Sequence, residues 1–113
     1  MTTEEFNTLF DSLILPEIKR MRDSGQKEYA HDTSDVFANF NRIANLLDVD
    51  RKKILMTYAL KHVDGITAFI KGYTSQREGI SGRITDLIVY LILLWAIIEE
   101  ERSQNERPSD IQR

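Results

Sequence analysis

The stretch LIVYLILLWAII, residues 87–98, contains only apolar and aromatic side chains. A membrane-spanning helix needs about 20 apolar residues, so this shorter run predicts a buried helix of a globular domain. The run does not alternate between apolar and polar positions, which argues against a strand. A helix that is apolar on every side must be covered on every side, and three other short helices would cover about two thirds of it. We therefore expect a second copy of the chain on the remaining side, unless the N-terminal helix folds across it.

The overall composition fits one globular domain, with 113 residues, of which 42% are hydrophobic and 29% charged. The formal net charge is −3 and the Lys and Arg residues are scattered, which argues against general binding to a nucleic-acid backbone. The sequence has no cysteine, which excludes disulfides, zinc–thiolate sites and cysteine nucleophiles. The N-terminal MTTEEFNTLF lacks the basic and apolar regions of a signal peptide, so we expect a cytoplasmic protein without a membrane segment.

The helical spacing of apolar residues predicts an all-α fold of four helices, a bundle that homo-oligomerisation would complete. The predicted helices span roughly residues 4–23, 35–47, 51–72 and 81–102. Their predicted N-terminal caps are Thr3, Thr33 or Ser34, Asp50 and Ser81. Because proline lacks the backbone N–H, Pro16 is expected to kink or break the first helix. We predict one domain over residues 1–102 and a flexible tail over residues 103–113.

The segment ALKHVDGITAFIKG, residues 59–72, carries polar side chains within an otherwise apolar helix. His62 falls near the middle of the apolar arc, where a single histidine is most often a core residue with one hydrogen bond. Lys61 lies at the edge of that arc, where its stem can pack while its ammonium reaches a cleft. Asp64 points away from the arc, which is typical of a solvent-exposed carboxylate but leaves a binding role open.

Three polar residues of the last helix share one face, since Arg83, Asp86 and Tyr90 are spaced i, i+3 and i+7. An Arg–Asp pair at this spacing stabilises a helix start and needs no further role. The alternative is that this face looks across a cleft at Lys61 and Asp64. Further candidates, each of which can equally be a turn or solvated residue, are Tyr29, Asn39 and Arg42.

The sequence lacks the motifs of several common catalytic and binding sites. It contains no Gly-rich phosphate loop, no HExxH pair and no Ser–His–Asp signature. The two histidines are 31 residues apart, which argues against a histidine-rich metal site. Acidic residues on helices can still hold Mg²⁺, which prefers carboxylates and water.

Three segments resemble small, phage-encoded MazG-like proteins, namely EYA followed by NFNRIANLL, then YALKHVDGI, then GRITDLIVYLILLWAIIEEE. The resemblance covers about residues 27–101, and its most specific parts are Lys61-His62 and Arg83-Ile84-Thr85-Asp86. It implies an all-α fold of the MazG-like type and homodimers or homotetramers. It also implies hydrolysis of nucleoside triphosphates to monophosphate and pyrophosphate, with Mg²⁺ held by four acidic residues in paired ExxE and ExxD motifs.

This chain departs from that family pattern at the metal ligands. Asp86 matches the last acidic residue of the second motif, but Arg83 stands where its glutamate would be. The first motif is represented by Lys61 and Asp64, so the resemblance leaves Asp64 and Asp86 to hold a single Mg²⁺ weakly. The cations would instead bind phosphate directly. The predicted phosphate contacts are Lys61, His62, Arg42 and Arg83, with Asn39 nearby and with Tyr29 or Tyr90 stacked on a base.

Three functions remain open on the sequence alone. The first is a nucleotide-binding protein with a basic cleft, which in a phage would sequester a nucleotide second messenger of bacterial defence. The second is a Mg²⁺-dependent nucleoside triphosphate pyrophosphohydrolase. The third is a non-catalytic structural oligomer. The missing carboxylates favour the first function, because two carboxylates do not readily build the multi-ligand site that activates water.

Overall fold

The computed structural model describes residues 1–26, 34–73 and 79–105, and within these ranges the chain is helical and contains no strand. The predicted all-α class is therefore confirmed for the described residues. The elements in order are α1 (Thr3–Leu9), a π-helical turn (Phe10–Ile14), α2 (Leu15–Gly25), α3 (Ala38–Leu47), α4 (Arg51–Ile70) and α5 (Ile80–Asn105). The first three elements follow one another without a loop, so the described residues form four helical rods.

The first rod begins at Thr3, and its cap lies one residue earlier than predicted. Thr2, not Thr3, occupies the N-cap, where its hydroxyl accepts the Glu5 backbone N–H at 3.1 Å. The Glu5 carboxylate in turn accepts the Thr2 backbone N–H at 2.9 Å, which completes a reciprocal capping box. The prediction of Thr3 was wrong because both threonines suit the position, and only the glutamate three residues later identifies Thr2.

Pro16 does not break this rod. The chain stays helical from Thr3 to Gly25, and the distortion takes the form of the π turn directly before the proline. In that turn the Leu15 N–H donates to the Phe10 carbonyl, five residues back instead of four. The wider turn accommodates a residue that has no N–H to donate and whose ring would otherwise crowd the preceding turn.

The predicted cap of α3 was wrong, and the predicted cap of α4 was correct. Helix α3 begins at Ala38, later than predicted, and Asp35 supports its start by accepting the Phe37 N–H at 2.9 Å. The predicted Thr33 cap lies outside the described residues. Helix α4 begins after Asp50, whose carboxylate accepts the Lys52 N–H at 2.8 Å, as predicted. It ends at Ile70, two residues before Gly72, which adopts a φ of 96°.

The last helix is longer at both ends than predicted. It starts at Ile80, so Ser81 lies inside it, and it reaches Asn105. Helices α4 and α5 pack antiparallel, with α3 against α4 and α2 against α5. The buried hydrophobic core is formed by residues of α3, α4, α5 and the turn before α3: Phe37, Phe40, Ala44, Ile54, Leu55 and Ile97.

One side of the α4–α5 pair is apolar and exposed, and we call it the open apolar face. Its members are Met56, Leu60 and Val63 of α4 with Ile84, Leu91, Ile92, Trp95 and Ile98 of α5. Helical spacing places them on the side away from α3. Within the described ranges α5 is also the one helix long and apolar enough to cross a membrane, a test that core helices of soluble proteins pass as well.

Candidate functional site

The antiparallel register of α4 and α5 decides which polar residues meet. Tyr58 stacks with Tyr90, and one turn further along α4 His62 faces Asp86. One more turn brings Gly65 opposite Arg83. Steps of four and three residues forward on α4 match equal steps back on α5, as two helices in regular contact require. We call the group formed by His62, Gly65, Arg83 and Asp86 the seam.

His62 is mostly buried against α5, with 13% of its side chain exposed. Its Nε2 lies 3.7 Å from Asp86 Oδ2, which is beyond hydrogen-bond range, and its ring centroid lies 5.6 Å from that of Tyr90. Its Nδ1 is buried and has no hydrogen-bond partner among the described residues. His62 is therefore packed as a core residue but lacks the hydrogen bond that would make it an ordinary one.

Arg83 lies against the backbone of α4 at Gly65. A Cβ atom built on Gly65 would come within 2.6 Å of Arg83 Cζ and 2.7 Å of its Cδ, so the arginine occupies the space of a missing side chain. The Arg83 Nε is buried and unpaired within the described residues. Buried polar atoms are nearly always paired, so a water, a ligand or a residue outside the described ranges pairs with this N–H.

A cleft opens beside the seam, where the end of α2, the start of α3 and the middle of α5 meet. The enclosed part of this cleft has a volume of about 80 Å³, well below the roughly 300–1,000 Å³ of small-molecule sites, and the remaining space is open to solvent. Its polar and aromatic lining comprises Arg22, Gln26, Asn39, Phe40, Asp86 and Tyr90. Asp86 belongs to both the seam and the cleft lining, so the two are neighbours that share one residue.

Aromatic rings support the inner wall of the cleft. The centroids of Phe40 and Tyr58 each lie close to that of Tyr90, at 6.3 Å in both cases. Phe40 meets Tyr90 edge to face and Tyr58 stacks on it, which are the favourable geometries for aromatic pairs. Tyr90 is thereby held in one orientation, and its ring forms part of the cleft lining.

Three predicted residues lie outside the seam and the cleft lining. Lys61, Arg42 and Asp64 are exposed. The prediction that Lys61 faces Arg83 and Asp86 was wrong, because Gly65 and His62 hold those positions. Lys61 follows the buried Ile54 by two turns and so lies on the same side of α4 as that residue. Tyr29 falls outside the described residues.

The two predicted Mg²⁺ ligands do not converge. Asp86 lies against α4 at His62, whereas Asp64 follows His62 by two residues and so points away from α5. Among the described residues there is no group of three or more His, Cys, Asp or Glu side chains that could hold a metal ion. Asp64 and Asp86 as placed therefore do not fit a shared ion, and the Mg²⁺ site stays a prediction.

Sequence reasoning missed Gly65, Arg22 and Gln26. For Gly65 a signal was present, since a glycine inside a helix that nothing else interrupts usually has a packing or functional reason. Arg22 and Gln26 gave no such signal, because a polar residue near a helix end is ordinary, and only the packing of α2 on α5 brings them to the cleft.

Comparison of the chain with protein-family models, curated proteins and solved structures gives no match. The MazG-like resemblance thus rests on the quoted segments alone. The function has to be argued from the geometry of the seam and the cleft.

Proposed function

We propose that this protein binds a nucleotide, with the base in the cleft and the phosphates at the seam. The observation that carries the proposal is the adjacency of two features. One is an arginine whose buried N–H has no partner among the described residues, and the other is a cleft that combines an aromatic ring with amide and carboxylate groups. A guanidinium group binds oxyanions such as phosphate, and a cleft with aromatic and polar side chains suits a nucleobase.

The base lies on the ring of Tyr90 in this proposal. Stacking of a base on an aromatic side chain contributes about 1–3 kcal/mol and tolerates any base. Asn39 and Gln26 supply amide groups that both donate and accept, and Asp86 supplies an acceptor for a base N–H. These three residues lie in the same cleft lining as Tyr90, so in this proposal they contact the edge of the base while Tyr90 contacts its ring face.

The phosphates lie toward Arg83 at the start of α5. Arg83 is in the first turns of that helix, where backbone N–H groups and the helix dipole favour an anion. An arginine adds charge-assisted hydrogen bonds, which are stronger than neutral ones. Lys61 and Arg42 are exposed at the edges of α4 and α3 and reach the outer phosphates in this arrangement. Asp86 repels phosphate, so the chain of phosphates runs away from it.

Binding without hydrolysis is the form of the function that we favour. The MazG-like resemblance implies pyrophosphate release with Mg²⁺, but Asp64 and Asp86 lie on different sides of α4. In a phage the consequence of binding alone would be sequestration of a nucleotide second messenger. Mg²⁺-dependent hydrolysis is the competing outcome of the same assay.

The test is a thermal-shift screen of mono-, di- and triphosphates and cyclic dinucleotides, with Mg²⁺ or with EDTA, followed by calorimetric titration of the best hit. We expect stabilisation that does not need metal. Asn39→Ala should then weaken binding about three- to tenfold, the usual effect of one neutral hydrogen bond. Asn45→Ala, an exposed asparagine of the same helix, is the matched control and should bind normally. No response to any nucleotide at millimolar concentration overturns the proposal, and turnover with Mg²⁺ replaces it by hydrolysis.

We also propose self-association through the open apolar face. Trp95 is 60% exposed and Leu91 48%, so a large apolar surface of α5 lacks cover among the described residues. Ile84 and Ile98 lie seven residues on either side of Leu91. A two-fold axis at Leu91 would therefore set Ile84 of one copy against Ile98 of the other, as a symmetric dimer requires.

This second proposal is tested by sedimentation. Leu91→Glu should dissociate the assembly, because an unpaired carboxylate would be buried. Leu46→Glu, on an exposed leucine of α3, should leave it intact. A wild-type chain that remains monomeric at high micromolar concentration contradicts self-association. Co-sedimentation of that monomer with lipid vesicles would show that a bilayer covers the face instead.

A further inference from the structure

Gly65 stands at a position where its backbone does not require glycine. It lies inside the 20-residue helix α4, and the positive-φ residues of the described chain are Asp48 and Gly72. In a helix interior glycine is less favourable than alanine, because it loses more conformational freedom on folding. The reason for glycine at this position is therefore space outside the helix.

Arg83 fills that space. The carbon of its guanidinium lies 2.6 Å from where a Cβ of residue 65 would be, closer than real atoms pack. The other glycines, at positions 25, 72, 79 and 82, have open space within 4 Å of a built Cβ in the part of the chain that the structure describes. One glycine of the five is thus matched to a particular side chain, and that side chain is the cation at the start of α5.

The Arg83 side chain retains a hydrogen-bond donor, its Nε–H, that no described residue accepts. Its Nε is buried and unpaired among the described residues, and so is His62 Nδ1 on the adjacent turn of α4. If His62 carries its proton on Nε2, toward Asp86, then Nδ1 is an acceptor and Arg83 Nε is a donor. An ordered water can satisfy both groups, whereas an anionic oxygen satisfies only the arginine.

We infer that Gly65 is a positioning residue that seats the Arg83 guanidinium on the bare backbone of α4, and that this packing fixes the direction in which the guanidinium meets a phosphate. The ligand half of this inference rests on the proposed nucleotide binding, whereas the seat rests only on packing. A methyl group at position 65 forces the guanidinium off the backbone. The arginine keeps its charge but loses its orientation.

The test is a double-variant cycle of Gly65→Ala, Arg83→Ala and both together, with Gly82→Ala as the control. Gly82 lies in α5 next to Arg83, and a Cβ there meets open space among the described residues. The first readout is the melting temperature without ligand. Replacing glycine by alanine should raise the melting temperature by about 4 °C where the added methyl group meets open space. We expect this gain in Gly82→Ala, and in Gly65→Ala when Arg83 is also replaced by alanine. When Arg83 is present, Gly65→Ala should leave the melting temperature unchanged or lower it.

The second readout is calorimetric affinity for the best nucleotide and for inorganic pyrophosphate. Gly65→Ala should weaken binding about as much as Arg83→Ala, and the double variant should be no weaker than Arg83→Ala alone. If Gly65→Ala raises the melting temperature equally with Arg83 present and with Arg83 replaced by alanine, Arg83 does not occupy the space at Gly65. Unchanged affinity in Gly65→Ala, with a nucleotide that does bind, overturns the positioning role but leaves the proposed function standing. A failure of nucleotide and pyrophosphate to bind overturns the phosphate role, and the melting cycle then decides the seat alone.

Discussion

The two ends of the α4–α5 pair each hold an arginine, and the two are satisfied in opposite ways. At the end where α4 begins, Arg51 donates to Glu100 at 2.8 Å, to Glu101 at 3.3 Å and to Asn41 at 3.2 Å. At the other end, Arg83 packs on Gly65 and its Nε finds no partner among the described residues. The contrast distinguishes an arginine whose hydrogen bonds are made by the fold from one whose buried Nε has no partner among the described residues.

The Arg51 end is a closed network. Burial disfavours the charge of Arg51, but the hydrogen bonds and charges of Glu100 and Glu101 outweigh burial and raise its pKa. Its guanidinium also lies 5.3 Å from the centre of the Phe37 ring. Lys52 adds a hydrogen bond to Glu101 at 2.6 Å, which raises the pKa of the lysine. These contacts fasten the start of α4 to the end of α5.

The largest expected effect comes from breaking this closed end. Arg51→Ala should lower the free energy of unfolding by about 1.5–3 kcal/mol, because its charged hydrogen bonds and its contact with Phe37 are lost together. The measurement is urea unfolding at neutral pH. Arg20→Ala is the control, because Arg20 pairs with Glu17 on an exposed face, and loss of such a pair should change stability little. Equal losses in the two variants would show that the Arg51 network is no better than a surface pair.

A smaller effect is expected from the cap at the same end. Asp50→Ala should cost about 1 kcal/mol, since the carboxylate accepts the Lys52 N–H at the first turn of α4. That hydrogen bond lowers the pKa of Asp50, so its stabilising contribution is present above the unfolded pKa of about 3.9 and is lost as the pH falls through the lower folded value. Urea unfolding of wild type and variant at pH 7 and at acid pH measures this. A difference that persists undiminished at pH 2 would rule out the ionised cap.

The smallest effect on stability is expected at the open end. Arg83→Ala should change the free energy of unfolding by about 0.5 kcal/mol or less, because the lost packing is offset by removal of an unsatisfied buried N–H. The same urea titration measures it, beside Arg51→Ala. A loss as large as that of Arg51→Ala would make Arg83 a structural residue and would remove the contrast between the two ends.

Local features of this fold could be predicted from the sequence, and contacts between helices could not. The helical class and the Asp50 cap were predictable because apolar spacing and a capping aspartate act within a few residues. The start of α3 was predicted too early, because Asp35 supports the first turn from outside the helix instead of continuing it. Apolar spacing gives the buried side of a helix but not which residue of its neighbour lies opposite.

The candidate site illustrates the same limit. His62, Arg83, Asp86, Tyr90 and Asn39 were predicted by residue type and lie in the seam or in the cleft lining. Their pairing was not predicted, since it depends on the register of α4 against α5. A shift of one residue would have put Lys61 where His62 is. The glycine that seats Arg83 is visible only once the two helices are placed together.

The central claim is that Arg83 serves a ligand and Arg51 serves the fold. Calorimetric titration of the best nucleotide against wild type, Arg83→Ala and Arg51→Ala, at a temperature where all three are folded, tests it most directly. We expect a ten- to hundredfold loss of affinity for Arg83→Ala, the range that follows when about 1.5–3 kcal/mol of charge-assisted contact is removed, and wild-type affinity for Arg51→Ala. Unchanged affinity in Arg83→Ala, or an equal loss in both variants, would contradict it.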